Sequence, residues 1–140
     1  MSSKKDDSSK LPHHLIPAEC EDFLAAVLNF GQVAYDANNW QGLDNFFDRY
    51  YSANRRHHNK RREGEIFDKD SGLPHYAHAL CCDLFLLWKD LQSLTKEQRE
   101  QILKDVPQKA REYVFKREQA LSIIERPCDT TIRGSHKIYG

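Results

Sequence analysis

Residues 77–88 form the most apolar segment of the chain, and this segment limits the folds that the chain can adopt. Apolar side chains fall on nearly every side of a helix drawn through it, and such a helix is usually central in a bundle. Asp83 interrupts the segment, which is also too short to span a bilayer. We therefore expect a protein built around one buried helix that begins near Pro74 and ends near Leu91.

Further helical segments are indicated by the 3.6-residue spacing of apolar residues and by helix-start signals. They are predicted at residues 18–35, 43–62, 95–105 and 107–125. The third of these opens with a capping box from Thr95 to Gln98, and Pro107 suits the first turn of the last. Since no strand-like run occurs, the predicted fold class is all-α, a compact bundle of four to five helices.

The two ends of the chain differ in composition from its centre. Residues 1–11 are polar and lack an apolar run, which predicts a disordered amino-terminal arm and no signal peptide. Residues 12–126 are predicted to form a single helical domain, and residues 127–140 an irregular tail. The four cysteines lack CxxC spacing, and 21 basic residues balance 21 acidic ones. These features favour a reducing cytoplasmic location, with no membrane partner and no general affinity for nucleic acid.

Three carboxylates lie in the loop before the apolar helix, at Glu65, Asp68 and Asp70. Carboxylate oxygens are the ligands that Mg²⁺ prefers beside substrate phosphates. The alternative is an ordinary solvated acidic loop in which Asp70 or Ser71 caps the helix.

Two histidines follow at the start of that helix. His75, His78 and Cys82 lie within about 60° of one another around the helix axis. The two imidazoles can share a metal, or one can order a phosphate while the other donates a proton. Alternatively, His75 caps the helix start and His78 is a core histidine with its hydrogen bonds satisfied.

The second half of the helix at 43–62 is strongly basic. Its cations are Arg55, Arg56, Lys60, Arg61 and Arg62. Arg49, Arg56 and Lys60 share one face, and arginine is the natural bidentate partner of phosphate. Two other interpretations stay open: a solvated helix face, and a nucleic-acid groove in which nearby aromatic residues stack on bases.

These motifs occur together in a recognisable order. The stretches "FGQVAYDANNWQGL" and "RYYSANRRHHNKRREGEIFDKDSGLPHYAHALCCDLFLL" resemble a phage-encoded family, the dATP/dGTP diphosphohydrolases of the amino-terminal type. That family is grouped with the MazG-like, all-α nucleotide pyrophosphatases, and the resemblance covers about residues 15–90. The matching positions are Gly31, Tyr35, Asn39, Trp40, Arg56, His57, Gly64, Glu65, Asp68, Ser71, Gly72, His75, His78 and Ala79.

The chain departs from the family pattern at several positions. Ala34 stands in place of lysine, Gln41 of arginine, Asp70 of glutamate and Arg61 of tryptophan. MazG-type enzymes also carry carboxylates where this chain has His75 and His78. The losses of charge at Ala34 and Gln41 bear on substrate choice and on turnover.

The resemblance implies a metal-dependent hydrolysis of a purine (deoxy)nucleoside triphosphate, dGTP or dATP, to the monophosphate and pyrophosphate. Glu65, Asp68 and Asp70 would hold Mg²⁺, with Mn²⁺ and Zn²⁺ as alternative ions, and His75 and His78 would bind the metal or a phosphate. The catalytic residues would be Glu65, Asp68 and His78. The dipole and free amide groups at the start of the apolar helix would favour phosphate.

The resemblance also implies which residues bind the substrate. These are Tyr35, Asn39, Trp40, Arg49, Arg56, His57 and Lys60. Tyr35 and Trp40 would stack on the base, Asn39 would read its edge, and Arg56 and Lys60 would neutralise phosphate charge.

MazG-like proteins build their sites at helix interfaces, so the resemblance implies a homodimer or homotetramer in the host cytoplasm. Two other functions stay open. One is a phage protein that binds or sequesters a nucleotide without hydrolysing it. The other is a small helical module that binds nucleic acid or a protein through residues 55–62.

Overall fold

The computed structural model describes residues 10–125, and these residues form helices joined by turns. The α-helices are α1 (Ala18–Tyr35), α2 (Phe46–Arg62), α3 (His75–Gln92) and α4 (Lys96–Glu125), with short 3-10 helices at His13–Leu15 and Asn39–Gly42. Within this range the only extended pairing is a single bridge between Phe67 and Pro74. The all-α prediction is confirmed. The predictions for the arm and the tail fall, apart from residues 10 and 11, outside the described residues.

The boundaries of the first three helices lie close to those expected. α1 begins and ends where the apolar spacing indicated. α2 begins at Phe46 rather than at residue 43, because Asn45 preceding it adopts a left-handed conformation with φ 53°. α3 begins directly after Pro74, whose extended backbone (φ −58°, ψ 140°) ends the preceding loop.

The carboxy-terminal helices differ from the prediction. The expected break between residues 105 and 107 is absent, and α4 continues through Pro107. Proline removes one backbone donor and crowds the preceding turn, but strong helix formers on both sides can carry a helix across it. The chain divides into two units, one up to Lys96 and one from Glu97, so nearly all of α4 belongs to the second. The single-domain boundary at 12–126 stays a prediction.

The core of the first unit lies where α3 packs against α1 and α2. Its buried members are Val27, Phe46, Ala77, Cys81 and Phe85. This position agrees with the prediction that the apolar helix is central. No helix between residues 10 and 125 combines the length and the apolar character needed to cross a membrane.

One side of α3 is fixed to α2 by a buried hydrogen bond, and another side is exposed. The buried side-chain amide of Asn54 in α2 donates to the Ala79 carbonyl at 3.0 Å, which fixes the two helices against each other. On another side of α3, Leu80, Leu84 and Leu87 remain 43%, 36% and 55% exposed. Residues 10–125 therefore do not cover this side of the helix.

Candidate functional site

A glycine turn at the end of α2 positions the first of the acidic residues. The Gly64 amide donates to Arg61 O and the Glu65 amide to Lys60 O, both at 3.1 Å, which is the hydrogen-bond pattern of a Schellman cap. Gly64 has φ 102°, a conformation that side chains with a Cβ rarely adopt. The chain therefore reverses direction sharply, and Glu65 lies beside the start of α3.

A second turn joins Asp68 to the first turns of α3. One oxygen of the Asp68 carboxylate accepts hydrogen bonds from both the amide and the hydroxyl of Ser71, each at 2.9 Å. The Ser71 hydroxyl also lies 2.7 Å from His78 Nε2 and accepts from the Leu73 amide at 3.2 Å. Because its proton goes to Asp68 and its lone pairs are occupied, Ser71 organises the loop and is not a free nucleophile.

The buried side chain of His75 joins two polar groups through opposite edges of its ring. Its Nε2 lies 3.0 Å from Glu65 Oε1, and its Nδ1 lies 2.9 Å from His57 Nδ1. A carboxylate accepts only, so Nε2 of His75 donates to Glu65, and in the neutral ring the lone pair lies on Nδ1, where it can accept from Nδ1 of His57. Glu65 thus fixes both the tautomer and the orientation of this imidazole.

Three of these side chains form a group able to hold a metal ion. Ligand atoms of His57, Asp68 and His75 all lie within 4.8 Å of one another. The group overlaps the predicted metal set at Asp68 and His75. His57, which the family pattern suggested as a substrate contact, joins them, while Glu65 reaches the group through His75. Direct coordination by Glu65, Asp70 and His78 stays a prediction.

The ionisation of these groups suits cation binding. Burial lowers the pKa of His57 to about 4, and the neighbouring His78 and His75 contribute to that shift. Burial also lowers the pKa of His78, against the opposing charge of Asp68. At neutral pH these two imidazoles are therefore neutral, as a metal requires.

The carboxylates are ionised in the same range. The hydrogen bond from His75 lowers the pKa of Glu65. Burial raises the pKa of Asp68, but the hydrogen bonds from Ser71 and the proximity of His78 lower it more, so the net shift is downward. Cys82, which shares a helix face with the histidines, remains a thiol because burial raises its pKa to about 11. In the absence of an ion, the anionic groups here are therefore the carboxylates.

A cleft extends from this polar group to the aromatic core. It has a volume of about 830 Å³, and a smaller cavity of about 340 Å³ lies beside it. Arg56, His57, Asp68 and Asp70 line both spaces. The cleft also contains the predicted site residues Tyr35, Asn39, Trp40, Arg49 and His78, and the smaller cavity contains Lys60, Glu65 and His75. The structure therefore brings every sequence-predicted site residue to one of two adjoining spaces.

The far end of the cleft is apolar. Trp40 stacks on Phe85 with 4.1 Å between ring centroids and 14° between planes, and it meets Trp88 edge-on at 4.8 Å. Val27 and Leu28 of α1 complete this end. One face of Trp40 is thus already covered by protein, so its predicted stacking on a base would use its remaining surface.

The start of α3 corrects one sequence-based expectation. The His75 amide donates to Ile66 O at 2.9 Å, and the amides of Ala77 and His78 donate to Pro74 O. These groups are not free, so the expectation that they would bind phosphate is wrong for them. The folded-back loop takes up the His75 amide through Ile66, whereas the first turn of α3 itself takes up the amides of Ala77 and His78.

Several residues of the site were not singled out from the sequence. Apolar side chains line the cleft at Val27, Leu28 and Phe85. Their helical spacing does not distinguish a residue that lines a cleft from one that is buried in the core. Asn54 also carried no signal, since an isolated asparagine in a polar helix gives no indication of burial. The position of Ser71 in the family pattern was a signal for its role beside Asp68.

Comparisons with known proteins agree with the resemblance. The family model for the amino-terminal region of dATP/dGTP diphosphohydrolases matches residues 2–99. A dATP/dGTP diphosphohydrolase of Salmonella phage PMBT28 is 34% identical over 88 residues, which cover 63% of this chain and 30% of that protein. No solved structure matches the chain. The extent of the family match shows that the chain belongs to the dATP/dGTP diphosphohydrolase amino-terminal family.

Proposed function

We propose that this chain binds a purine deoxynucleoside triphosphate in the cleft and hydrolyses it to the monophosphate and pyrophosphate with the help of a divalent metal. The observation that carries the proposal is the polarity of the cleft. One end is aromatic and apolar, and the other holds Arg56 beside the group of His57, Asp68 and His75. A nucleotide has the same division between its base and its phosphates.

The apolar end is suited to the base and sugar. Tyr35 is 69% exposed at the rim of the cleft, and Asn39 lies beside Trp40 on the 3-10 helix. An exposed aromatic ring offers a stacking surface, and an amide can pair with the hydrogen-bonding edge of a purine. We assign base binding to these residues.

The polar end is suited to the phosphates. Arg56 lines the cleft and the smaller cavity, as well as a third hollow of about 530 Å³ that it shares with Arg49. Lys60 lines the smaller cavity, where its amine lies 4.0 Å from Glu63 in an exposed pair. Exposed pairs of this kind exchange partners at little cost, so Lys60 remains available to a phosphate.

The metal would be held by His57, Asp68 and His75, whose donor atoms converge. When bound, the ion would lower the pKa of a water molecule and neutralise charge on the phosphates. Glu65 keeps His75 in the required tautomer.

In the reaction, the oxygen of water would form a bond to the α-phosphorus while the bond from that phosphorus to the bridging oxygen breaks. Pyrophosphate leaves, and the proton of the water passes to a carboxylate. We assign this proton to Asp70, since Asp68 accepts from Ser71 and Glu65 faces His75, whereas Asp70 lines both cavities. Arg56 and Lys60 would stabilise the charge that develops on the leaving group.

The test is to incubate the chain with dGTP or dATP and Mg²⁺, Mn²⁺, Co²⁺ or Zn²⁺, and to identify the products. Monophosphate and pyrophosphate in equal amounts are expected. Because the matched stretch spans 30% of the phage relative, the same assay also decides whether this region suffices for turnover. Nucleotide binding by calorimetry without product would identify a sequestering protein, and the absence of both would contradict the proposal.

We also propose that the chain self-associates. Leu80, Leu84 and Leu87 form an exposed apolar row at i, i+4 and i+7 on α3, and such a row is a favourable contact between two copies. Light scattering should give at least twice the chain mass of 16.4 kDa. A monomer at micromolar concentration would contradict this proposal.

A further inference from the structure

We propose that the group of His57, Asp68 and His75 selects a transition-metal dication of the Mn²⁺, Co²⁺ or Zn²⁺ type over Mg²⁺, and that Glu65 acts as a positioning residue for this ion. The inference adds a metal preference to the proposed function, and the catalytic role of the ion rests on that function. The binding of the ion itself depends only on these four side chains.

The donor atoms argue for the class of ion. Two of the three converging ligands are imidazole nitrogens, and one is a carboxylate oxygen. Mg²⁺ demands near-ideal octahedral oxygen coordination and seldom gives up its water for nitrogen. Imidazole binds Mn²⁺, Co²⁺ and Zn²⁺ progressively more tightly than it binds Mg²⁺, so two nitrogens in the set shift the preference toward those ions.

The surroundings of His75 argue that its Nδ1 is oriented for an ion. On binding, the ion would take the place of the proton between this atom and His57 Nδ1, with His57 keeping a proton on Nε2 instead. The side chain of His75 is 3% exposed, with Glu65 Oε1 at 3.0 Å on one edge of the ring and His57 Nδ1 at 2.9 Å from the other. A carboxylate that accepts from the outer N–H of a ligating histidine fixes its tautomer and raises its basicity. In this arrangement Glu65 does not touch the ion but determines how well His75 can bind it.

The placement of the group argues that the ion would be accessible. His57 and Asp68 line both the large cleft and the smaller cavity, so the coordination sphere opens toward solvent and toward the space proposed for the phosphates. Three protein ligands with an open position are the arrangement of catalytic metal sites and not of closed structural ones.

The inference is tested by titrating the chelator-treated chain, without nucleotide, with Co²⁺, Mn²⁺, Zn²⁺ and Mg²⁺ in a calorimeter, and by recording the visible spectrum with Co²⁺. We expect one Co²⁺ per chain with ligand-field absorption bands, displacement of Co²⁺ by Zn²⁺, and affinity for Mg²⁺ at least about tenfold weaker than for Mn²⁺.

Two adjacent histidines on α2 provide a matched pair of variants. His57→Ala should abolish the Co²⁺ bands. The ring of His58 contacts Tyr76 instead, so His58→Ala should leave the Co²⁺ spectrum and the Co²⁺ affinity unchanged. Glu65→Gln should keep the stoichiometry but weaken Co²⁺ binding by about 10–100-fold and alter the band positions, the range for loss of a carboxylate behind a ligating histidine. If His57→Ala does not fold, as judged by circular dichroism, the wild-type titration and Glu65→Gln still decide the question.

Equal affinities for Mg²⁺ and Mn²⁺, or unchanged Co²⁺ bands in His57→Ala, would overturn the inference. The outcome is separable from that of the proposed function. Nucleotide hydrolysis with Mg²⁺ in a chain that gives no Co²⁺ bands would refute the metal preference alone. Tight Co²⁺ binding in a chain that neither binds nor hydrolyses nucleotides would refute the function alone.

Discussion

The two ends of the cleft are built from stacked rings at similar distances but are held by different forces. Trp40 and Phe85 lie 4.1 Å apart at the apolar end, and His57 and His78 lie 4.6 Å apart and nearly parallel at the polar end. The first pair is stabilised by removal of apolar surface from water, which needs no particular protonation state. The second depends on hydrogen bonds and on neutral imidazoles. Folding free energy and chemistry are therefore divided between the two ends.

Phe85→Ala should give the largest effect and act on the apolar end. The side chain belongs to the core cluster and touches Trp40 and Tyr50, so its removal should lower the free energy of unfolding by about 3–5 kcal/mol. Urea unfolding followed by tryptophan fluorescence reports on this unit, because both tryptophans of the chain lie in it.

The matched control for that variant is Phe47→Ala. Phe47 is 63% exposed and stacks on Tyr51 at the surface of α2, so the loss should be below about 1 kcal/mol. Equal losses in the two variants would show that the aromatic end is not the stabilising part of the unit.

Arg56→Ala should act on the polar end with little effect on folding. An exposed helix arginine contributes little to stability, whereas loss of a charged hydrogen bond to phosphate should reduce dGTP affinity by about 1.5–3 kcal/mol. Isothermal titration with dGTP measures this change. Arg55→Ala is the control, since Arg55 lines none of the three spaces that Arg56 lines.

The same variant distinguishes the other interpretations of the basic face. If this face binds nucleic acid, dGTP affinity stays unchanged, while oligonucleotide affinity falls and its salt dependence becomes shallower by about one unit. If the face is only solvated, neither affinity changes. Equal dGTP affinity in wild type and Arg56→Ala would remove Arg56 from the site.

The apolar and polar ends also differ in how far the sequence predicts them. The helical spacing in α1 predicted its bounds, and the order of Glu65, Asp68, His75 and His78 predicted a polar cluster at the start of α3. These predictions succeed because spacing along one helix or within one short loop fixes which side chains are neighbours.

Features that depend on contacts between elements were not predictable in this way. His57 and His58 are adjacent in sequence and chemically identical, and only the packing of α2 on α3 determines that His57 faces His75. Trp40 gave no indication that Phe85 would cover one of its faces. Pro107 has the same local signal whether a helix starts there or continues through it.

Gly64→Ala should lower the free energy of unfolding by a smaller amount. It acts through the turn that positions Glu65 beside the polar end of the cleft. At φ 102° an added Cβ meets no atom within 4 Å, so the cost of about 1 kcal/mol in unfolding free energy arises from the backbone alone. Gly31→Ala inside α1 has the opposite expectation, a gain of roughly 0.5–1 kcal/mol, since it too has open space and lies in a helix. Urea unfolding of both variants tests the contrast. Destabilisation by Gly31→Ala equal to that by Gly64→Ala would contradict the role of the turn.

The smallest effect is a pH dependence that belongs to the polar end. The pKa of His57 is about 4 in the folded chain and near 6.5 when unfolded, so the folded chain binds fewer protons across that window. The free energy of unfolding should therefore fall as pH is lowered from 7 to 5.5, by less than about 1 kcal/mol once partial solvent screening of His57 is allowed for. The lowered pKa of Asp68 acts in the same direction but in a more acidic window, below the ordinary carboxylate range, so it does not contribute here. Urea unfolding in chelator-treated buffer at several pH values should show a shallower pH slope for His57→Ala than for His58→Ala. Identical slopes in these two variants would mean that the imidazole of His57 is not held in its neutral form by the fold, and the distinction between the two ends of the cleft would then lose its electrostatic basis.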